Sequence, residues 1–232
     1  MRHSTLTAGA SLALTLTASF LLLLSGCASD GGKRPANRSL DLTGRLTEQY
    51  QALSGSLDGA VQALSTLRGT VERQGIIQRQ SVAVGDVEGA FKGLKASLAG
   101  LRKATASVES AQAGLGNSFN AYLATWDKEI AGFQSEDLKE SAQRRREASD
   151  GRFKALTAEL SQATPSFERY IGRVAELEKA LSLDLTPAGV GALDSVLEDA
   201  IDAAKPLREE TERLAGLTRE FGQTLTAAGA PK

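Results

Sequence analysis

The sequence predicts an all-α protein, an elongated antiparallel bundle or folded coiled coil of about four long helices. Two positive observations and one absence lead there. The first is the run from Val84 to Trp126, whose seam is Val84, Val87, Phe91, Leu94, Leu98, Leu101, Thr105, Val108, Gln112, Leu115, Phe119, Tyr122 and Trp126. Its steps alternate three and four without a slip, which places one narrow stripe on one side of a helix that partner helices must cover. The second is that three further segments carry the same rhythm. The absence is that no stretch alternates with period two for long enough to make a strand.

The first segment spans about 44–74, with Leu46, Tyr50, Leu53, Leu57, Ala60, Leu64, Leu67 and Val71 on one face. Gly75 reads as a hinge, and Ile76-Ile77 lead into the second helix, which runs to about Phe133. Ser135 is placed to cap the third helix, with Glu136 and Asp137 where the helix dipole favours negative charge. That helix presents Leu138, Ala142, Phe153, Leu156, Leu160, Ala163, Phe167, Tyr170, Val174, Leu177 and Leu181, with a kink expected before Pro165. Leu185-Thr186-Pro187 is a start signal: Thr186 as N-cap, Pro187 as first helical residue and Leu185 stapled onto Val190. The fourth segment then carries Val190, Leu193, Leu197, Ile201, Ala204, Leu214, Leu217, Phe221 and Leu225, with a kink at Pro206 and fraying from Ala227 onward. Short connections imply antiparallel neighbours, and helices near 48 residues imply a length of about 70 Å.

Composition agrees with this architecture. Of 232 residues, 41% are hydrophobic but only 5% aromatic, so packing falls to small and aliphatic side chains. The net charge of −1 gives no signature of a nucleic-acid binder.

The chain divides into three parts: 1–26, 27–43 and a helical domain over 44–229. Arg2 and His3 precede an apolar run from Leu12 to Leu24, which is too short for a comfortable transmembrane span and has the layout of an export signal. Removing it takes away Arg2 alone among charged residues, leaving 26 basic against 28 acidic side chains, a net charge of −2. The run ends in Leu24-Ser25-Gly26-Cys27, which resembles the lipobox of bacterial lipoproteins at all four positions. The resemblance implies cleavage between Gly26 and Cys27, a diacylglycerol thioether on Cys27 and often an acyl chain on its amine. At about 0.8 kcal/mol per buried methylene, two or three chains hold a protein on a membrane almost permanently. Cys27 is the only cysteine, so an intrachain disulfide is excluded. By similarity to the enterobacterial sorting rule, Ala28 after the cysteine implies the outer membrane, facing the periplasm. Residues 28–43, rich in Gly, Ser, Asn and Asp with Pro35, read as a flexible tether of about 20–24 Å.

Around residues 119–156 the side-chain order is distinctive. Phe119-Asn120-Ala121-Tyr122-Leu123-Ala124-Thr125-Trp126-Asp127-Lys128-Glu129-Ile130 is followed by Leu138, Ser141, Arg144-Arg145 and Phe153-Lys154-Ala155-Leu156. With the Leu-rich loop and Ala-rich helix start of 181–193, this resembles the bacterial family described as domain of unknown function 2959, over about 71–204. The resemblance implies an all-helical character and association with bacterial envelopes, and no activity.

Other features have competing readings. Trp126 is either a membrane or ligand anchor or, as its heptad phase favours, a core knob near the hairpin end. Arg144-Arg145-Arg146 could meet lipid head groups, but three consecutive positions spread around a helix, and Glu136, Asp137, Glu140 and Glu147 stand at pairing distance in sequence. Gly85, Gly89 and Gly93, with Gly55 and Gly59, either let a neighbouring helix approach closely or soften the helices, and the second is favoured slightly.

Catalytic and metal-ligating constellations are not expected. His3, the only histidine, precedes the cleavage point, and Cys27 would be a thioether. No phosphate-binding glycine loop occurs. The expected role is therefore a non-enzymatic envelope lipoprotein with no cofactor. It would use a helical surface to bind or space another envelope protein, as a monomer whose register is helped by Thr105 and Gln112. The alternative is a lipid-interacting or membrane-remodelling protein whose amphipathic helices open.

Overall fold

The structure, a computed structural model, describes residues 30–76 and 84–227. All of its elements are helical: α1 (Asp30–Ile76), α2 (Val84–Ala131), α3 (Glu136–Leu183), the short α4 (Pro187–Ala192) and α5 (Asp194–Ala227). Among the described residues there is no strand. The four long helices run up, down, up and down. α1 packs against α2 and α5, and α3 packs against the same two from the opposite side.

Cross-helix pairs fix the register. Ser39 on α1 meets Ser118 on α2 at 3.0 Å, and Tyr50 meets Gln112 at 2.7 Å. Asp58 pairs with Arg208, and Arg68 with Asp194 and Glu198, so α1 and α5 are antiparallel. Arg213 joins α5 to Glu159 on α3, and Arg146 joins α3 to Asp127 on α2.

The seams predicted for α1 to α3 form the core. Leu46, Leu57, Leu64 and Leu67 of α1, with Val87, Leu94, Leu101 and Phe119 of α2, are wholly buried. On α3 every seam position from Phe153 to Leu181 is buried. Ser135 caps α3, its hydroxyl accepting from the Leu138 amide at 3.5 Å, and Glu136 and Asp137 lie in the first turn. Pro165 and Pro206 sit inside the continuous helices α3 and α5.

Four expectations are corrected. Residues 28–43 are not a flexible tether over their described part: α1 starts at Asp30, and Ala36, Ser39 and Thr43 are buried. The heptad runs unbroken through Ala36, Ser39, Thr43, Leu46 and Tyr50, but its first seam positions are small or hydroxylic and so read as loop. Burial is tolerated because the hydroxyls have partners: Ser39 bonds Ser118, and Thr43 donates to the Leu40 carbonyl at 2.7 Å. The helical domain therefore begins before residue 44. Secondly, Gly75 is no hinge, because α1 continues through it to Ile76; residues 77–83, with Ile77, lie outside the described residues.

Thirdly, Leu138 is 54% exposed. It lies in the first turn of α3, beyond the end of α2 at Ala131, so among the described residues no facing helix covers its heptad position. Fourthly, the last segment is two helices. Thr186 caps α4 by accepting from the Gly189 amide at 3.1 Å, with Pro187 as the first helical residue. Val190 is buried and Leu185, partly buried, packs against the core. Leu193 then leaves helical geometry at φ −104°, ψ 8°, and α5 starts at Asp194.

Candidate functional site

Of the residues singled out for chemistry, Gly26 and Cys27 lie outside the described residues. What the structure does define is the end of the bundle at which the described part of α1 begins. Here α1 starts, α5 finishes and α2 turns into α3.

An aromatic cluster closes this end. Phe119, fully buried, stacks on Phe153 with ring centroids 4.2 Å apart, and meets the edge of Phe221 at 5.5 Å. Three helices are thus joined by one set of rings whose offset and edge contacts add to plain burial. Beyond them Tyr122 contacts Trp126 edge-on at 5.8 Å. Trp126 packs against the core but is only half-buried, and the Arg145 guanidinium lies 5.7 Å from its ring centroid. Trp126 is therefore a rim residue and not the enclosed knob its phase suggested, standing at the level where the described part of α1 begins.

The three arginines resolve into separate tasks. Arg144 pairs with Glu140, Arg145 lies over Trp126, and Arg146 makes a two-pronged contact with Asp127 at 2.8 and 3.0 Å. They do not converge on one point: of the four acids that the sequence placed at helical spacing Glu140 holds Arg144, while Arg146 is held by Asp127 across the hairpin and by Asp150.

The glycines divide. A Cβ on Gly59 would lie 3.4 Å from Ser97 Oγ, and one on Gly93 3.8 Å from Ala63, so both face the α1–α2 contact at ordinary van der Waals distance. Gly55 and Gly89 meet nothing within 4 Å. A methyl group would fit at all four, so close helix approach does not account for them.

Two shallow, open grooves run along the α1–α2 face. One, of about 450 Å³, lies between Leu42, Arg45 and Gln49 on α1 and Lys103, Ser107 and Ser110 on α2. The other, of about 300 Å³, is lined by Gly59, Ala63, Thr66, Gly89, Gly93 and Ser97. Among the described residues no group of His, Cys, Asp or Glu is arranged to hold a metal ion, and no helix is long and apolar enough to cross a membrane.

The perturbed titrations are structural. Burial pushes the phenols of Tyr50 and Tyr170 up to about 12, and raises that of Tyr122. Hydrogen bonds from Arg213 hold the Glu210 carboxyl low, and Glu210 and Glu159 hold the Arg213 proton firmly. These groups lie in the core or on exposed helix faces, and none faces either groove.

No family model, no curated protein and no solved structure matches the chain. The resemblances to bacterial lipoproteins and to domain of unknown function 2959 therefore rest on the residues quoted for them.

Proposed function

We propose that this chain is a bacterial envelope lipoprotein, cleaved between Gly26 and Cys27 and held by lipid on Cys27 at the outer membrane, facing the periplasm. Its helical bundle acts as a monomeric, non-enzymatic spacer or binding module for another envelope component. The observation that carries this reading is the position of Leu24-Ser25-Gly26-Cys27, three residues ahead of a helix about 70 Å long. A thioether at Cys27 would make that helix a rigid stalk.

Further support comes from the chemistry of the residues that would remain after cleavage. They include no histidine, and the one cysteine would be blocked, which removes the usual nucleophile, base and soft-metal schemes. The four long helices bury their seams against one another within one chain, so an association cost is avoided and monomeric behaviour is favoured.

Fractionation tests the anchor. The wild-type protein should pellet with membranes and yield an N-terminal peptide carrying acyl mass on Cys27, whereas Cys27→Ala should retain residues 1–26. Loss of residues 1–26 from Cys27→Ala just as from the wild type, or an unmodified Cys27 thiol, would remove this reading. Flotation of an unacylated domain with anionic vesicles would instead favour the helix-opening alternative, and a turnover activity in that domain would end the non-enzymatic assignment.

A further inference from the structure

We propose that the α2–α3 hairpin end of the bundle is the face turned to the lipid surface, and that the bundle stands upright with its α4 end far from the membrane. This rests on the anchoring at Cys27 proposed above and adds the orientation that the fold imposes on it.

The register supplies the geometry. Ser39 pairs with Ser118 on the antiparallel helix. Nine residues back from Ser39 is Asp30, the first residue of α1, and nine on from Ser118 is Asp127. α1 therefore begins level with Asp127 and with Arg146, which grips it from α3. From that level α2 continues to Ala131, about 6 Å further at 1.5 Å per residue, before the turn into α3 at Glu136. Cys27 is three residues ahead of Asp30, and three residues reach at most about 11 Å. An anchor at Cys27 would therefore be confined to within about 11 Å of the end that carries the hairpin turn. The opposite end, with α4 and the start of α5, lies about 70 Å away, beyond any reach of so short a link.

The side chains at the hairpin end suit contact with a lipid surface that the anchor enforces, and not capture of lipid by charge. Leu138 is exposed and Phe133 half-buried, so the turn offers apolar groups at the level where head groups lie. Between Asp127 and Glu147 the cations are Lys128, Lys139, Arg144, Arg145 and Arg146, against the carboxylates Asp127, Glu129, Glu136, Asp137, Glu140 and Glu147. Five cations against six acids leave this end without the excess positive charge by which anionic lipid would capture it from solution. Orientation therefore follows from the covalent link and the rigidity of the helix that starts beside it.

The protein carries its own reporter. Trp126 is the only tryptophan and stands at the hairpin end. A second reporter can be placed at Leu183, which is 84% exposed at the far end, by a Leu183→Cys substitution. With Cys27 blocked by its thioether, that thiol would be the sole labelling point. The acylated full-length protein is reconstituted in phosphatidylethanolamine–phosphatidylglycerol vesicles containing head-group spin-labelled lipid. The expected result is strong quenching of Trp126 and no quenching of a fluorophore at position 183. Quenching of both reporters would mean that the bundle lies flat, and quenching at 183 alone that it is inverted. Quenching of neither, in protein that still floats with vesicles, would show that the domain is held clear of the lipid. Each of these overturns the upright orientation while leaving the anchor intact. Failure to float, or equal flotation of a chain that begins at Ala28, would overturn the anchor itself and the orientation with it.

Discussion

A methyl group placed on Gly222 would come within 2.8 Å of the Thr43 hydroxyl and 3.4 Å of its Cβ, so α5 meets α1 with room for nothing but hydrogen at that point. Thr43 is held there, because its hydroxyl donates to the Leu40 carbonyl at 2.7 Å. The contact matters because it places the first three turns of α1 inside the bundle.

Gly222→Ala should therefore destabilise the protein. Alanine gains about 1 kcal/mol of helix propensity over glycine, while forcing a methyl into a filled site costs about 1–3 kcal/mol. The net loss should be on the order of 1 kcal/mol, or a melting temperature lower by roughly 2–4 °C for a domain of this size. Adding Thr43→Ala removes the hydroxyl at 2.8 Å and should restore most of the loss. Thermal unfolding followed by circular dichroism reads both. An unchanged melting temperature in Gly222→Ala would mean that residues 36–43 are not docked.

The second prediction concerns the polar seam of α2. Gln112 donates to the hydroxyl of Tyr50, which is 1% exposed, at 2.7 Å. Gln112→Leu would orphan a buried hydroxyl, at about 1–3 kcal/mol, whereas Tyr50→Phe removes that hydroxyl and leaves the half-buried amide able to turn to water. Gln112→Leu should be the more harmful single change, and the double variant should be more stable than the sum of the two losses requires. Urea titration of the four proteins gives the coupling. Strict additivity would show that the bond contributes nothing to stability.

Much of the fold was legible because aliphatic residues mark their own spacing. Leu46 to Leu67, Val87 to Phe119 and Phe153 to Leu181 could be placed on buried faces from period alone. Legibility failed where the seam is built from small or hydroxylic residues. Ser39 and Thr43 hid the beginning of α1, and Ala200, Leu207, Thr211 and Thr218, all buried, extend the seam of α5 between residues that period had already found. The threonines satisfy themselves against their own helix, Thr211 donating to the Leu207 carbonyl at 3.1 Å and Thr218 to that of Leu214 at 2.8 Å. An unbroken three-four rhythm through Ser and Thr was the available signal. Leu138 and Trp126 show the opposite error. Period gives the direction in which a side chain points, but whether a partner helix extends that far depends on the lengths of other helices.

That distinction yields a third prediction. Phe119 is enclosed by rings from α3 and α5, so Phe119→Ala should cost about 3–5 kcal/mol. Trp126 has a larger side chain, yet its rim position lets solvent and Tyr122 fill the space it leaves. Trp126→Ala should cost clearly less than Phe119→Ala, and denaturant midpoints at equal slope decide the order. The reverse order would place Trp126 in an enclosed core.

The last prediction is alkaline unfolding, and it turns on the tyrosines. The chain contains three. In the folded state burial pushes Tyr50 and Tyr170 up to about 12 from an ordinary value near 10, and raises Tyr122 as well. For Tyr50 the Gln112 bond acts against burial, and the Glu210 charge adds to it. The Tyr170 hydroxyl is 4% exposed as part of its residue and has no partner, so desolvation alone acts on it. Raised folded values mean that the folded state keeps phenol protons which the unfolded chain releases. Stability is then fully present below pH 10 and falls as pH rises from 10 towards 12, by up to roughly 2–3 kcal/mol for each of the two phenols. Tyrosinate absorbance should accordingly lag in the folded protein and then rise together with loss of helical circular dichroism. Tyr170→Phe removes one titrating phenol and an unpartnered buried hydroxyl at once, so its stability loss across this window should be smaller than that of the wild type. Free titration of all three phenols near pH 10 with the helices intact would show that these side chains are open to water, and the bundle loosely packed around them.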